Sequence, residues 1–335
     1  MIPLAWRPSI VCAPHVVAIY VHDLNPIALP IYGSLALRWY GLAYLMGFVA
    51  GFVLLRSLAR RGLWVLQPEK TADFIAAAAM FGVFLGGRVG YILFYRIPED
   101  GWMGVVRDPL LVFRVWEGGM ASHGGILGLT IFTWVYAKRQ KISWPRLADG
   151  LCVVGPLGLF FGRIANFING ELYGRVATGI PWAVKFPLSI TEESEETQSM
   201  AWQACARIDS TLSETRYFEP LIAAARNQPE VSKTLAEHLQ PRHPSQIYEG
   251  LLEGLLLFLI LWTVRVKFPK APAGLITGLF FALYAIFRIV GEHFRQPDAA
   301  MVGMLTKGQF FSVFMFIFAA GFFAHAWRMR NKQDA

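Results

Sequence analysis

Seven apolar stretches of about twenty residues constrain this chain more than any other feature. They fall at roughly 36–55, 74–95, 120–137, 148–168, 246–264, 273–291 and 309–327, each flanked by charge or proline. A helix needs about 20 apolar residues to cross the hydrocarbon core of a bilayer. Seven such runs within 335 residues would leave a soluble fold too little polar surface. The expected class is an all-α polytopic membrane protein with seven transmembrane helices and a small external domain. Composition agrees, with 55% hydrophobic and 16% charged residues against roughly 25% charged in an ordinary soluble domain. Disorder, a coiled coil and a typical cytosolic enzyme are excluded.

Lysine and arginine orient the loops. The ends following spans one, three, five and seven carry fourteen of them, including Arg56, Lys70, Lys138, Arg146, Arg265, Lys270 and Arg328; the opposite short loops carry five, Arg96, Arg107, Arg114, Arg295 and Lys307. The C-terminus is therefore expected in the cytoplasm and the N-terminus outside. Residues 1–20 lack a basic-then-apolar pattern ending in small residues, so no cleavable signal peptide is expected. The expected organisation is an external segment 1–35, helices one to four over 36–168, an external domain 169–245, helices five to seven over 246–327 and a cytoplasmic tail 328–335. The acidic cluster Glu192, Glu193, Glu195 and Glu196 in that domain either meets a basic peptide or keeps a loop soluble. A formal net charge of +8 would suggest nucleic acid in a soluble protein, but here much of it marks topology, and no nucleic-acid partner is expected. Cys12, Cys152 and Cys205 lack paired spacing, so neither a zinc site nor a disulfide framework is indicated. Gly82, Gly86 and Gly90 have the small-xxx-small spacing of closely packed helices.

Ionisable residues inside a span are costly and mark function. Here they are Arg88 in span two, His123 at the start of span three, Arg163 with Asn166 and Asn169 late in span four, and Arg288 with Glu292 late in span six. Tyr40 opens span one, and His243, Gln246 and Glu249 enter span five. Because the spans alternate in direction, all of these fall near the outer face. A transporter site near the midplane or a pore through both leaflets would look different. Arg163 and Asn166 are three apart, and Arg288, Glu292 and Arg295 are spaced by four and three, so each set shares a helical face. Arg288 and Glu292 alone would read as an intrahelical ion pair. Arg88, Arg163 and Arg288 together in one outer-leaflet cavity point instead to a phosphate, which guanidinium groups bind bidentately, and the phosphate at that depth belongs to a phospholipid. His123 sits among small residues, Gly118 to Gly125, and is either a hydrogen-bonded structural histidine or a ring facing substrate. Neither a Ser-His-Asp arrangement nor an HExxH motif occurs, so no enzyme-borne nucleophile, metal or cofactor is expected.

The segment GRIANFINGELYG, Gly162 to Gly174, resembles the signature of the bacterial prolipoprotein diacylglyceryl transferases. Further pieces agree in order: RWYG from Arg38, FLGGRVGY from Phe84, FRVWEGGMASHGG from Phe113, RHPSQIYE from Arg242 and FRIVGEHFRQPD from Phe287. Two departures stand out. Arg38 occupies a position commonly histidine in the family, and both the stretch 188–240 and the N-terminal 30 or so residues are longer than in compact members.

The resemblance implies a monomeric inner-membrane enzyme, its active site facing the outer leaflet and its external domain in the periplasm. It would move the diacylglyceryl group of phosphatidylglycerol to the lipobox cysteine of a preprolipoprotein signal peptide and release glycerol 1-phosphate. The nucleophile is then the substrate's own sulfur. By the match, His123 is the candidate base, with Glu171 or Glu292 as alternatives, and Arg163 and Arg288 hold the phosphate. Tyr40, Asn166, Asn169, Glu171 and Glu292 would orient these groups or the glycerol hydroxyls, and Gly174 would supply a backbone conformation that a side chain blocks. Arg295 either steers the headgroup or pairs with Glu292. Gln296 and Asp298 are assigned to the lip of the cavity, His243 and Gln246 to a helix start, and Arg88 to snorkelling or helix pairing if not to the phosphate. A lipid-moving protein without chemistry would carry polar groups in both leaflets. Other lipid enzymes would show HxxxxD, aspartate-metal or serine-nucleophile patterns.

Overall fold

The computed structural model describes residues 19–32, 35–114, 119–214, 217–297, 303 and 306–333. Cys12, Gly118, Asp298 and the N-terminal segment up to residue 18 lie outside the described residues.

The apolar stretches become helices. Along the chain these are α1 (Trp39–Arg60), α2 (Pro68–Arg107), α3 (Ser122–Arg139), α4 (Trp144–Asn169), α5 (Glu195–Ala206), α6 (Phe218–Asn227), α7 (Pro229–Glu237), α8 (Ser245–Lys267), α9 (Leu275–Glu292) and α10 (Lys307–Gln333). Among the described residues six helices are long and apolar enough to cross a membrane: α1, α2, α4, α8, α9 and, in α10, Gly308–Asn331. The third expected span, α3, forms a helix of 18 residues. Ser122 and His123 at its start and Lys138 and Arg139 at its end keep it outside the six. Large apolar side chains point outward from these helices, among them Phe81, Ile126, Trp134, Ile317 and Phe318, each more than half exposed. An apolar surface of that extent needs lipid around it, and the chain is a polytopic membrane protein.

The chain divides into two compact units. One comprises Leu24–Gly174 and Ser245–Ala335. It opens with the antiparallel pair β2 (Ile27–Tyr32) and β3 (Leu35–Arg38), in which Ile27 faces Arg38. The strand β1 (Tyr20–Val21) belongs to the other unit. In the helical unit Leu55, Leu58, Phe74, Leu147, Val153, Leu257, Leu261 and Ile276 form one buried cluster, with α4 packed against α1, α8 and α9. Asp149, a buried carboxylate that the sequence reading did not single out, ties α4 to α9. Its Oδ2 accepts from the Gly274 amide at 2.8 Å and its Oδ1 from the Thr277 amide and hydroxyl at 2.9 and 2.8 Å. A carboxylate there satisfies the open amides of the α9 N-terminus and suits its dipole.

The helices α2 and α3 meet along glycine. A Cβ on Gly86 would stand 2.7 Å from the Gly124 carbonyl oxygen and 2.8 Å from the Gly128 Cα. Both neighbours are backbone, so the helices themselves would have to part. Gly86→Leu is expected to cost more than the roughly 1–3 kcal/mol of ordinary overpacking and to lower the unfolding midpoint of the purified protein, with Gly86→Ala falling between it and the parent; an unchanged midpoint would contradict the close packing.

The other unit comprises Met1–Asp23 and Arg175–Pro244, so it begins six residues later than the expected boundary at 169 and takes in chain from the N-terminal side. Here β1 pairs in parallel with β4 (Val184–Lys185). The helices α5, α6 and α7 enclose Ile190, Cys205, Leu212, Leu221, Val231 and Leu235, a core of its own. Burial pushes the Cys205 thiol up to about 11, which makes it a packing residue with little thiolate at neutral pH. Glu193 of the acidic cluster pairs with Arg242 at 3.6 Å.

Candidate active site

Two polar clusters form on the face of α4 that carries Arg163 and Asn166. The first depends on how α4 ends. Gly170 takes up φ 72°, ψ 25°, a left-handed conformation that glycine adopts without strain. Its amide donates to the Phe167 carbonyl at 2.9 Å, and the Glu171 amide donates to the Asn166 carbonyl at 3.1 Å. This Schellman turn folds the chain back over the last turn of the helix. The Glu171 carboxylate thereby returns to Asn166, whose Nδ2 donates to Oε1 at 2.9 Å. Tyr40, in the first turn of α1, donates its hydroxyl to the same Oε1 and accepts from Asn166 Nδ2. The turn is held from α8, where Gln246 Nε2 donates to the Glu171 carbonyl at 2.7 Å and the Ser245 hydroxyl to the Leu172 carbonyl at 3.0 Å. Asn169, the last residue of α4, is half-buried.

The left-handed residues of this loop are Gly170 and Leu172 (φ 56°), and Gly174 forms an isolated antiparallel bridge with Arg295. That bridge, with the Gln296 amide donating to the Tyr173 carbonyl at 3.2 Å, brings the segment after α9 alongside the signature loop.

The second cluster is an ion network centred on α8. Glu249 and Glu253, both with fully buried side chains, face Arg163 of α4 and Arg288 of α9. Arg163 reaches Glu249 Oε2 at 3.0 Å and Glu253 Oε2 at 3.3 Å. Arg288 reaches Glu249 Oε1 at 2.8 Å, Glu253 Oε1 at 3.5 Å and Glu292 Oε2 at 2.8 Å. Arg295 closes the set on Glu249 Oε2 at 3.2 Å. Three guanidinium groups and three carboxylates balance one another, which is how so many charges can leave water. The stretch Gly250–Leu256 of α8 is π-helical, a local widening frequent at functional sites. Of the six, Arg163 and Arg288 have the most exposed side chains, 17% and 13%. The two carboxylates of α8 have no exposure at all, and what exposure the network keeps lies mostly on these two arginines.

Sequence reading placed Arg288 and Glu292 on a shared helical face, but Arg295 lies past the end of α9 and reaches the network from the strand-like bridge with Gly174. The same reading missed Glu253 and left Glu249 only as a residue entering span five. Their spacing of four on an apolar run was the available signal. Sequence reading left Arg88 between the phosphate and a snorkelling or helix-pairing role. Arg88 is buried at 3% exposure, donates to the carbonyls of Gly119 (2.9 Å) and Leu111, and lies over the Tyr91 ring. These contacts tie it to the loop that leads into α3, and the third guanidinium of the network is that of Arg295.

His123 lies in the first turn of α3, is exposed, and packs its ring on Phe311 of α10 with 5.4 Å between centroids. One turn earlier on α10, Gly308 abuts the network so closely that a Cβ there would stand 2.5 Å from Glu292 Oε2 and 2.9 Å from Arg288 Nε. The start of α10 thus touches both the histidine and the Arg288–Glu292 pair. Among the described residues no group of three metal-ligating side chains occurs.

The arrangement offers guanidinium groups that suit an anion, and an exposed imidazole. Comparison with known proteins points the same way. A family model described as prolipoprotein diacylglyceryl transferase matches residues 26–325. Three relatives carry the name phosphatidylglycerol–prolipoprotein diacylglyceryl transferase. One, from Bdellovibrio bacteriovorus, is 40% identical over 89% of this chain and 91% of its own. Another, from Escherichia coli O1:K1, is 38% identical over 93% and 96%, and one from Shigella boydii is 37% identical over 94% and 98%. A match that runs through every helix of the membrane unit, with the signature loop and the arginine network at its centre, leaves one conclusion: the chain belongs to the prolipoprotein diacylglyceryl transferase family.

Proposed function

We propose that this chain transfers the diacylglyceryl group of phosphatidylglycerol to the lipobox cysteine of preprolipoproteins in the bacterial inner membrane. The cysteine sulfur attacks the glycerol carbon that bears the phosphate ester. A C–S bond forms, the C–O bond breaks, and glycerol 1-phosphate leaves with the bonding pair on its phosphate oxygen. The observation that carries this reading is the partly exposed pair Arg163 and Arg288, each held by buried carboxylates. Such preorganised donors stabilise charge as it develops on the leaving oxygen without reorienting.

His123 takes the thiol proton. It is exposed to an incoming substrate, whereas Glu292 already pairs with Arg288 and Glu171 accepts from Tyr40 and Asn166, and each is tied to a structural partner. Tyr40, Asn166, Asn169, Glu171 and the loop through Gly174 shape the glycerol side of the site, and Glu292 and Arg295 hold Arg288 and Glu249 in register. The α3 helix is the seventh span. The N-terminus and the unit around 175–244 are periplasmic, the C-terminus is cytoplasmic, and the network opens to the outer leaflet. A reporter fused after residue 335 reads this orientation.

The direct test is to incubate the purified protein with phosphatidylglycerol and a lipobox peptide and follow the peptide by mass spectrometry. A thioether-linked diacylglyceryl adduct is expected. His123→Ala should slow its formation about 10²- to 10⁴-fold, the range for loss of a general base, with an unchanged unfolding midpoint. Absence of adduct from folded protein would overturn the function, and a normal rate in His123→Ala would move the proton to Glu171 or Glu292.

A further inference from the structure

The far ends of the same helices enclose a second polar site. Arg146 at the start of α4 and Arg265 near the end of α8 lie about 25 Å of helix axis from Arg163 and Glu249. There a cavity of about 380 Å³ is lined by Leu63, Trp64, Arg146, Asp149, Arg265 and Lys270. Three cations surround it and only one carboxylate. Asp149 answers one of these charges while its oxygens hold Gly274 and Thr277 at the head of α9, so the lining keeps two positive charges in excess. Arg265 donates Nη2 to the Pro269 carbonyl at 2.9 Å. The Trp64 indole N–H is committed to the Leu147 carbonyl at 3.2 Å, so its ring and Leu63 form an apolar wall. Orientation by basic loop residues asks only that such residues lie on one side of the membrane; it does not call for a concave site lined by an excess of cations.

We propose that this cavity is a second anion site, which takes the phosphate of an anionic phospholipid headgroup from the leaflet opposite the arginine network. Basic clefts between membrane helices at an interface bind such headgroups. The site does no chemistry and is separate from the transfer reaction. Inorganic phosphate offers the same oxygens, so the test distinguishes the two sources.

The full chain in neutral detergent is titrated with dioctanoyl phosphatidic acid, with dioctanoyl phosphatidylcholine and with inorganic phosphate, and the unfolding midpoint is recorded. The parent protein is compared with Arg146→Gln/Lys270→Gln, which alters two exposed residues. Binding at the arginine network is common to both and cancels. Phosphatidic acid is expected to bind the double variant about thirtyfold more weakly, each interfacial cation contributing a factor of about five, while the rate of adduct formation stays the same. Lys270→Gln alone should lose about fivefold, which keeps the test open if the double variant folds poorly. Stabilisation of the parent by inorganic phosphate at the same concentration, lost in the variant, would establish the anion site and assign it to free phosphate rather than lipid. Equal response of parent and variants to both anions, or an equal response to phosphatidylcholine, would overturn the proposal.

Discussion

Arg288→Ala will slow adduct formation about a hundred- to a thousandfold and will also lower the unfolding midpoint. The catalytic part follows from position. Arg288 is one of the two most exposed guanidinium-bearing side chains of the network, and losing one preorganised donor at a developing oxyanion costs about 3–4 kcal/mol of transition-state stabilisation. The structural part follows from what stays behind. Arg288 pairs with Glu249, Glu253 and Glu292; without it three buried carboxylates share Arg163 and Arg295, and breaking a buried pair costs about 3–5 kcal/mol. Arg288→Lys separates the two. Its charge still answers the carboxylates, so the midpoint should recover most of its loss, but a single ammonium lacks the planar fork that holds phosphate bidentately, so the rate should stay at least tenfold low. Rates are read from the lipobox peptide by mass spectrometry and stability from thermal unfolding of the same preparations. A normal rate in Arg288→Ala would remove this residue from the phosphate site.

Much of this architecture is legible in the sequence because it is local. Apolar run length sets where α1, α4, α8 and α9 lie, and Arg288 and Glu292 share a face by spacing alone. The Asn-Gly-Glu turn is local too, since Gly170 permits the reversal that returns Glu171 to Asn166. What escapes is settled between helices. Glu253 is a lone carboxylate in an apolar run until α4 and α9 bring Arg163 and Arg288 to it. For Arg88 the spacing leaves phosphate and helix pairing both open, and the loop carbonyls it meets are distant in the chain. Asp149 has no sequence neighbour to explain it, because the amides it caps belong to a helix more than a hundred residues away. The pairing of β1 with β4 joins the N-terminal side of the chain to residues far along it, which no periodicity foretells.

Glu249→Ala is expected to be as damaging as loss of an arginine, although Glu249 is given no contact with substrate. Its two oxygens receive Arg163, Arg288 and Arg295, and its side chain has no exposure. Removing it leaves three guanidinium groups with two carboxylates, so one positive charge is both buried and unmatched. The destabilisation should again be about 3–5 kcal/mol, read as a fall in the unfolding midpoint. Glu249→Gln keeps the shape but sets amide hydrogens against guanidinium hydrogens, so it should recover little. Glu249→Asp keeps the charge with a shorter reach. It should restore most of the midpoint while the turnover rate stays low, since Arg163 and Arg288 would be held one methylene away from their places and misplacement of about 1 Å is costly to catalysis. That split between stability and rate is the signature of a positioning residue. If Glu249→Ala left both within error of the parent, the arginines would have to be held by something other than this carboxylate, and the account of the network given above would fail.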